Sequence, residues 1–325
     1  MKSKQVAKLK DIKSNYYLAK RNKVLHIITR FLKGGGTEKN TVYSIQALDK
    51  AKFLVDIAIG GESDFSYAKN ALPEVNKIVV IRELDNKLKP IRNLKALYNI
   101  FKLIQRNRYK VVHTHQCKAS ILGCFAAKFA KTPVIIFGLH GDYLENPRFT
   151  SLWRKIYKLI EQIAMQCATM IIFVGKELKK RYVNRYSLFS SRCEVVHSGI
   201  DLTNFYKAVT FSKDKINQKR QKLNIKPEET IIAKVARMEF NKGYKFAVRA
   251  AEKIIRDNNK KNIKFLFVGE GNQRAELQDM AKRLGLGGKI IFTGFRDDVD
   301  ELMSVVDIFL FTSLWEVYGK VCRRF

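Results

Sequence analysis

Short apolar runs alternate along the chain with longer segments whose apolar residues recur every three or four positions. This alternation is typical of βα units, in which a buried parallel strand precedes an amphipathic helix. The apolar runs predict ten strands, at residues 24–28, 53–59, 78–81, 111–113, 134–137, 170–174, 231–235, 265–268, 290–292 and 308–311. We therefore expect an α/β protein with largely parallel sheets.

Three of the intervening segments carry apolar stripes with helical spacing. The stripes consist of Leu94, Leu97, Tyr98, Phe101 and Ile104; of Leu152, Ile156, Leu159, Ile160 and Ile163; and of Leu277, Met280, Ala281 and Leu284. A stripe of this kind is normally the face that a helix buries against a sheet. All three are therefore predicted to be core faces.

The strands form two series, which the polar, lysine-rich stretch 205–230 separates. A chain of 325 residues is long enough for two such domains. The predicted organisation is a basic N-terminal tail at 1–23, an N-terminal domain at 24–199 and a C-terminal domain at 200–325. Both domains are expected to be doubly wound.

The net charge raises the question of partners, because 62 Lys and Arg face only 30 Asp and Glu, giving +32. Such a field concentrates anions near the surface. Nucleic acid, an anionic membrane and no partner at all are the three explanations, and nucleic acid is the least favoured because no nucleic-acid-binding module is present. Residues 1–20 have the spacing of a short basic amphipathic helix on a bilayer, and a solvated tail explains them equally well.

The cysteines and the hydropathy pattern indicate the compartment. The five cysteines include no Cys-x-x-Cys pair, so neither a disulfide framework nor a zinc ribbon is indicated. There is no apolar run of about 18 residues and no apolar signal segment near the N-terminus. The expected location is cytoplasmic, peripheral at the inner face of the cytoplasmic membrane.

A run of three glycines, Gly34, Gly35 and Gly36, follows the first predicted strand and precedes a helical pattern. Glycines there let the backbone approach a phosphate or a sugar hydroxyl at a helix N-terminus. Neither Gly-x-Gly-x-x-Gly nor a Walker A lysine is present, which argues against dinucleotide and P-loop sites. A flexible loop explains the glycines as well as a ligand does.

Histidines follow two strands of the first series. His113 and His115 face the same side of one strand, as metal ligands would, but no third ligand is spaced to join them, and no metal is expected. His140 follows the strand at 134–137, at the end where open α/β sheets bind ligands. A structural role for His140 is the alternative.

Three strand ends of the second series carry candidate binding groups. Arg237 and Lys242 follow the strand at 231–235 and suit a diphosphate, although two solvated cations would look the same. Gly269, Glu270 and Gly271 follow the next strand and would let the backbone approach a nucleotide base. Glu316 follows the last strand. The convergence of cations, exposed backbone and an acid at one rim favours a nucleotide site.

These segments together resemble the GT-B glycosyltransferases of glycosyltransferase family 4, a retaining family that builds lipopolysaccharide, capsule and glycolipid. The similarity covers residues 24–319. The segments that carry it are "GGGTE", "VVHTHQCKASILG", "GLHGDY", "VHSGIDLTNF", "VARMEFNKG", "FLFVGEGNQRAELQDMAKRLGLGGKIIFTGF" and "DDVDELMSVVDIFLFTSLWEVYG". The resemblance implies two Rossmann-like domains facing a central cleft and a nucleoside-diphosphate sugar as donor. It implies a glycan or lipid-linked acceptor.

The resemblance also implies roles for the candidate residues. Arg237 and Lys242 would neutralise the diphosphate leaving group, and the loop of Gly34, Gly35 and Gly36 would approach it. His140 would face the donor sugar. Glu316, the first acid of the family's Glu-x7-Glu motif, would contact the sugar hydroxyls, and no metal would be needed.

The chain departs from the family pattern near its last residue. Arg324 stands where the second acid of Glu-x7-Glu is expected, and the chain ends one residue later. The second domain is therefore expected to be incomplete. The alternatives to a glycosyltransferase are a catalytically inactive remnant or interaction protein, and, less favoured, a nucleic-acid-binding protein.

Overall fold

The computed structural model describes residues 21–85, 89–145, 150–188, 190–257 and 262–314. The basic N-terminal residues 1–20, Glu316 and Arg324 lie outside the described residues. The chain forms two compact units, which we call the first unit (Met1–Gly199) and the second unit (Ile200–Phe325).

The first unit is built on a seven-stranded sheet in which every strand pairs in parallel, in the order β3-β2-β1-β4-β5-β6-β7. The strands are β1 Asn22–Ile28, β2 Phe53–Gly60, β3 Lys77–Ile81, β4 Val111–His115, β5 Val134–Leu139, β6 Met170–Phe173 and β7 Cys193–Val195. The helices are α1 Gly36–Gln46, α2 Phe65–Ala71, α3 Pro90–Asn107, α4 Cys117–Phe129, α5 Ser151–Cys167 and α6 Lys176–Tyr186. The strand order reverses between β1 and β4.

The central strands are buried on both faces, which explains their near-continuous apolar sequence. Leu25 and Ile27 of β1 are fully buried, as is Ile57 of β2. Gly123 lets α4 lie close to the sheet, because a Cβ there would be 2.6 Å from Cγ2 of Thr114. Helix α4 packs against both α3 and α5.

The second unit has a four-stranded parallel sheet in the order β10-β9-β8-β11. Its strands are β8 Thr230–Val235, β9 Ile263–Val268, β10 Ile290–Gly294 and β11 Ile308–Phe309. Its helices are α7 Thr203–Val209, α8 Lys213–Lys222, α9 Tyr244–Asp257, α10 Arg274–Arg283 and α11 Val299–Leu302. Edge-to-face contacts of Phe267 with Tyr244 and Phe265 lie in its core. Its strand order reverses between β8 and β11.

All ten predicted strands are present, so the strand pattern of the sequence is confirmed. The last is shorter than expected, with only Ile308 and Phe309 in ladder pairing. Strand β7 was not among the predicted strands, because it is only three residues long and its middle residue is Glu194.

The outcome for the three helical stripes differs from helix to helix. The α10 stripe is confirmed as a core face, with Leu277 and Ala281 buried. The α3 stripe is only partly correct, since Ile104 is buried whereas Leu94 and Tyr98 are 65% and 54% exposed.

The prediction for the α5 stripe was wrong. All five of its residues are exposed, and the helix instead buries Glu161, Ala164 and Met165. Two tyrosines of α6 lie on that inner side. They hydrogen-bond to the Glu161 carboxylate, so a polar residue is satisfied on the inner side.

Candidate functional site

The first unit places its candidate site where β1 and β4 lie side by side. Open parallel sheets form a ligand crevice at such a reversal of strand order, beyond the carboxyl ends of the strands. The loops that leave the two strands are joined there. The Arg30 backbone N–H donates to Oε1 of Gln116 (3.1 Å), and Nε2 of Gln116 donates to the Arg30 carbonyl oxygen (3.2 Å).

Four histidines meet at this reversal. His26 of β1 is in register with His113 of β4, and His115 lies two residues further along, so all three share one face of the sheet. Nδ1 of His26 is 2.9 Å from Nε2 of His115, and Nδ1 of His115 is 3.0 Å from Nε2 of His140. His140, which directly follows β5, is thus the outer end of a chain of three rings.

The histidines on the strands are neutral near pH 7. Burial lowers the pKa of His113 to about 4. Burial, reinforced by the neighbouring histidines, holds the pKa values of His26 and His115 well below their usual range. A neutral imidazole has one donor and one acceptor nitrogen, so each hydrogen bond along the chain fixes the next ring's tautomer.

The innermost ring, His26, indicates which way the hydrogen bonds of these three histidines run from donor to acceptor. Nε2 of His26 is buried and has no hydrogen-bond partner among the described residues. A buried donor without a partner is more costly than a buried lone pair, so we assign the proton of His26 to Nδ1. His26 then donates to His115, and His115 donates to Nε2 of His140. His140 therefore carries its own proton on Nδ1.

The same cluster contains the one group of potential metal ligands found among the described residues. Nitrogens of His26, His113 and His115 all lie within 4.8 Å of one another. This spacing would admit a metal, but nitrogens of His26 and His115 that a zinc ion would need as ligands hydrogen-bond to each other instead. The arrangement fits hydrogen-bonded neutral rings better than a metal site. The absence of a metal stays a prediction. His26 joins His113 and His115 in this group, and the spacing of the sequence did not reveal it.

A buried polar network supports the segment that carries His140. The Asp142 carboxylate accepts two hydrogen bonds from Arg185, at 2.9 and 2.7 Å. The hydroxyl of Tyr182 is 3.4 Å from Oε1 of Glu161, and that of Tyr186 donates to Oε2. Burial raises the pKa of Glu161 to about 7. This network was not predicted from the sequence, because the residues it joins are 21 to 43 positions apart with no common motif.

The three-glycine loop precedes α1 and has a carboxylate beside it. Gly34 has φ +81°, a value that favours glycine. A Cβ at Gly35 would lie 1.9 Å from Oε2 of Glu38, which is buried. An acid in the first turn of a helix stabilises it. A phosphate at this N-terminus would meet that acid, so the predicted approach to a diphosphate requires Glu38 to turn away.

The second unit places its candidate site where β8 and β11 lie side by side. Lys242 ends a short 3-10 turn, and Gly243 follows with φ +63° before α9 begins. A Cβ at Gly243 would be 2.0 Å from the Thr312 carbonyl oxygen. The Thr312 hydroxyl donates to the Gly243 carbonyl oxygen (2.9 Å), and the Leu314 N–H donates to that of Asn241 (2.9 Å). The segment after β11 therefore holds the loop after β8.

The loops after β8 and β9 interlock through their backbones. Gly269 has φ +138°, and a Cβ there would lie 1.9 Å from the Ala236 carbonyl oxygen. The Met238 N–H donates to the Glu270 carbonyl oxygen (2.8 Å). A Cβ at Gly271 would lie 2.4 Å from the Met238 carbonyl oxygen. The structure thus brings together the β8 and β9 segments that the sequence analysis selected.

The cations of this site are half-buried. Nη1 of Arg237 is 3.3 Å from Oε1 of Glu239, and the Arg237 side chain is 40% exposed. The Glu270 carboxylate pairs with Arg274, one turn along the chain in α10. Lys234, a buried lysine in β8 whose Nζ lies 4.9 Å from the Tyr244 ring centroid, was not among the residues predicted from the sequence.

Comparison with known proteins places the chain in a family. Residues 34–204 match the family model described as Glycosyltransferase Family 4, and residues 215–322 match the model described as Glycosyl transferases group 1. Since the first match covers more than half of the chain, the protein belongs to glycosyltransferase family 4. The resemblance seen in the sequence is confirmed.

Bacterial relatives with lipid-linked substrates in their names are among the similar proteins. The chain is 28% identical over 227 residues to UDP-Gal:alpha-D-GlcNAc-diphosphoundecaprenol alpha-1,3-galactosyltransferase of Escherichia coli, covering 70% of this chain and 57% of that protein. It is 24% identical over 259 residues to N,N'-diacetylbacillosaminyl-diphospho-undecaprenol alpha-1,3-N-acetylgalactosaminyltransferase of Campylobacter jejuni, covering 76% and 66%. The chain spans less than two thirds of the length of either relative.

Solved structures show the same fold. The crystal structure of Anabaena HepE in complex with UDP and glucose has a TM-score of 0.73 at 17% identity, covering 94% of this chain and 78% of that one. That of WaaG, a glycosyltransferase involved in lipopolysaccharide biosynthesis, has a TM-score of 0.67 at 18% identity, covering 93% and 78%. The fold is therefore the GT-B fold of glycosyltransferases, as the sequence predicted.

Proposed function

We propose that this chain transfers a sugar from a nucleoside-diphosphate sugar to a glycan or lipid-linked acceptor, with retention of anomeric configuration. The product would belong to lipopolysaccharide, capsule or glycolipid. The observation that carries the proposal is the interlocked pair of loops after β8 and β9 in a chain of family 4. These loops hold Arg237 and Lys242 beside backbone that only glycine lets approach so closely.

Arg237 and Lys242 are proposed to bind the diphosphate of the donor. As the sugar–phosphate bond breaks, negative charge accumulates on the leaving phosphate, and fixed cations stabilise that charge most strongly in the transition state. Gly269, Glu270 and Gly271 would lie against the nucleotide, and Glu316 would contact the sugar hydroxyls. In this scheme the protein's cations do the work that a divalent metal does elsewhere, so no cofactor is proposed.

The proposed roles in the first unit involve His140 and the loop of Gly34, Gly35 and Gly36. His140 would face the donor sugar, its ring oriented by the hydrogen bond from His115. The glycine loop would approach the diphosphate once the Glu38 carboxylate has moved. Attack on the face from which the phosphate departs gives retention without a separate strong base, and no such base is proposed.

The acceptor is proposed to be a lipid-linked glycan, because the named E. coli and C. jejuni relatives carry diphosphoundecaprenol in their substrate names. A lipid-linked acceptor would place the enzyme at the inner face of the cytoplasmic membrane. The charge of +32 supports attraction to an anionic leaflet. No helix in the described part of the chain is both long and apolar enough to cross a bilayer.

The test is donor binding and sugar transfer by this chain, measured by calorimetric titration with a panel of nucleoside-diphosphate sugars and by turnover with an undecaprenyl-diphosphate-linked sugar. Arg237→Ala and Lys242→Ala should each lower kcat/KM by roughly 30- to 1000-fold, equivalent to about 2–4 kcal/mol. Lys245→Ala is the matched control, because this neighbouring lysine pairs with Glu276.

Unchanged binding and turnover in both variants would contradict the proposed diphosphate site. Donor binding without turnover on any acceptor would instead support the non-enzymatic alternative.

A further inference from the structure

The outer surface of α5 is apolar along its whole length. Leu152, Trp153, Ile156, Leu159, Ile160 and Ile163 are between 38% and 67% exposed. Their spacing places them on one side of the helix, opposite the side that buries Glu161, Ala164 and Met165. A contiguous apolar stripe of this length that faces solvent usually marks an interaction site.

The apolar surface continues onto the two neighbouring helices. Ile91, Leu94 and Tyr98 of α3 are 75%, 65% and 54% exposed, and Phe129 of α4 is 65% exposed. Because α4 packs against both α3 and α5, the three helices form one layer. We call the exposed side of this layer the α3–α5 face.

The charges of these helices are almost all positive. Four lysines and arginines lie in α3, two in α4 and three in α5, whereas the three helices contain a single acid, Glu161. Glu161 is buried and accepts hydrogen bonds from tyrosines of α6. The α3–α5 face therefore presents cations and apolar side chains with no exposed acid from its own helices.

Two of the nine cations have a structural role. Arg92 and Lys118 both pair with the buried Asp85, at 2.7 and 3.2 Å. Lys95 and Arg106 of α3 are exposed, as are Lys128 of α4 and the three basic residues of α5. The exposed cations are thus distributed over all three helices.

We propose that the α3–α5 face lies on an anionic lipid bilayer, with the apolar stripe of α5 among the acyl chains and the basic residues at the headgroups. An amphipathic helix with a tryptophan and leucines on one side and lysines beside them binds membranes in this way. Apolar burial and attraction to anionic lipid act together there. The inference supplies a partner for the proposed transferase, but it rests on the α3–α5 face alone.

The charge pattern argues against two other partners for this face, a second copy of the chain and nucleic acid. A second copy of the chain would bring two cationic faces together, and like charges across an interface oppose association. Nucleic acid would satisfy the cations, but it would leave the aliphatic stripe of α5 without an apolar partner. An anionic bilayer complements both features at once.

The test is binding of the full chain to vesicles, either zwitterionic or containing anionic phosphatidylglycerol, followed by co-sedimentation. Wild type should bind the anionic vesicles and be released by salt. Leu159→Gln should weaken this binding about tenfold, the expected loss when one leucine no longer enters an apolar phase. Phe246→Gln is the control, because Phe246 is 59% exposed in the second unit, close to the 58% of Leu159.

A charge-reversal pair tests the electrostatic half of the proposal. Lys155→Glu with Lys158→Glu should abolish the preference for anionic vesicles, whereas Lys213→Glu in α8 should leave most of it. Emission of Trp153 should shift to shorter wavelength on binding, and Trp153→Phe assigns the signal. Unchanged thermal unfolding in all variants would show that the fold is intact.

Several results would overturn the proposal. They are equal binding to zwitterionic vesicles, wild-type binding by Leu159→Gln, or loss of binding only when residues 1–20 are deleted. Concentration-dependent dimers abolished by Leu159→Gln would identify the face as a self-interface instead. Arg237→Ala should bind vesicles normally, so failure of the donor site and failure of this face are distinguishable.

Discussion

The candidate sites of the two units differ in the kinds of groups that form them. In the first unit, the site consists of buried or partly buried titratable side chains that hydrogen-bond to one another, such as His26, His115 and His140. In the second unit, glycines bring backbones together, and the proposed ligand-binding groups are half-exposed cations such as Arg237. In the first unit, the proposed chemistry and the stability of the fold therefore depend on the same residues. In the second, they are separate.

This difference determines what each site tolerates. A buried hydrogen-bonded ring cannot be removed without leaving its partner unsatisfied, which carries a free-energy penalty even in the absence of any ligand. Replacing a half-exposed arginine changes the free energy of unfolding little, because water and salt already weaken its ion pairs. The second unit is instead sensitive at its glycines, where a single added methyl group would collide with backbone.

The largest effect is expected at Gly269. Gly269→Ala places a Cβ only 1.9 Å from the Ala236 carbonyl oxygen, and it does so at a residue whose φ is +138°. Backbone strain and overpacking together should lower the free energy of unfolding of the second unit by roughly 3–5 kcal/mol. Hydrogen exchange of the β8 and β9 amides should accelerate accordingly, while β1 and β4 amides stay protected.

Two other glycines separate the causes of that loss. Gly285 has φ +70°, and a Cβ there would meet no heavy atom within 4 Å apart from its chain neighbours, so Gly285→Ala measures the cost of a left-handed backbone alone, about 1 kcal/mol. Gly287 has open space and no positive φ, so Gly287→Ala should be neutral. A loss at Gly269 no larger than that at Gly285 would show that the two loops do not interlock as described.

The next largest effect is expected at His115. His115→Ala removes the middle ring of the chain and leaves the Nδ1–H of His26 without its acceptor. The unsatisfied donor and the cavity should lower the free energy of unfolding of the first unit by about 2–4 kcal/mol. His197→Ala is the control, because His197 is exposed. Denaturant titration checks both variants, and equal midpoints would contradict the role of His115.

The two sites also differ in how far the sequence predicts them. Arg237, Lys242 and the Gly269–Glu270–Gly271 segment each follow a strand end, so local pattern and the parallel topology were enough to bring them together. The hydrogen bonds of His26 with His115, and of Asp142 with Arg185, join residues 89 and 43 positions apart. No local pattern encodes such a contact, and only the register of β1 against β4 reveals the first of them.

Helix α5 shows why periodicity alone assigns the wrong face. Its apolar stripe predicted a buried side, and the structure instead exposes that side and buries Glu161, which accepts hydrogen bonds from tyrosines of α6. A carboxyl group is normally the outer residue of an amphipathic helix. The sequence shows an apolar stripe, but it does not show whether the core or another partner covers that stripe.

A smaller, pH-dependent effect should come from Glu161. Its pKa is about 7 in the folded state, above the value near 4.5 of an unperturbed glutamate, because burial disfavours the charged form. The folded chain therefore retains a proton that the unfolded chain loses, and stability falls as pH rises from about 4.5 to 7. Glu161→Gln removes this dependence.

The measurement is the difference in unfolding free energy between Glu161→Gln and wild type. This difference should shift in favour of the variant by about 2–3 kcal/mol between pH 5 and pH 8. The buried histidines act with the opposite sign, since their lowered pKa values reduce stability as pH falls below about 6.5, but they are common to both proteins and cancel in the difference. A pH-independent difference would show that Glu161 is ionised throughout.

The smallest stability effect, expected at Arg237, gives the sharpest test of the comparison. Arg237→Gln removes a cation whose ion pair with Glu239 joins side chains that are 40% and 33% exposed. Such pairs contribute about 0–1 kcal/mol, so the unfolding midpoint should barely move. Binding of a nucleoside diphosphate should nevertheless weaken strongly, because the ligand loses a charge-assisted contact. Calorimetric titration and denaturant unfolding of the same sample separate the two quantities. If stability and binding fell together, the second unit would couple structure to ligand binding as the first does, and the contrast between the two sites would be wrong.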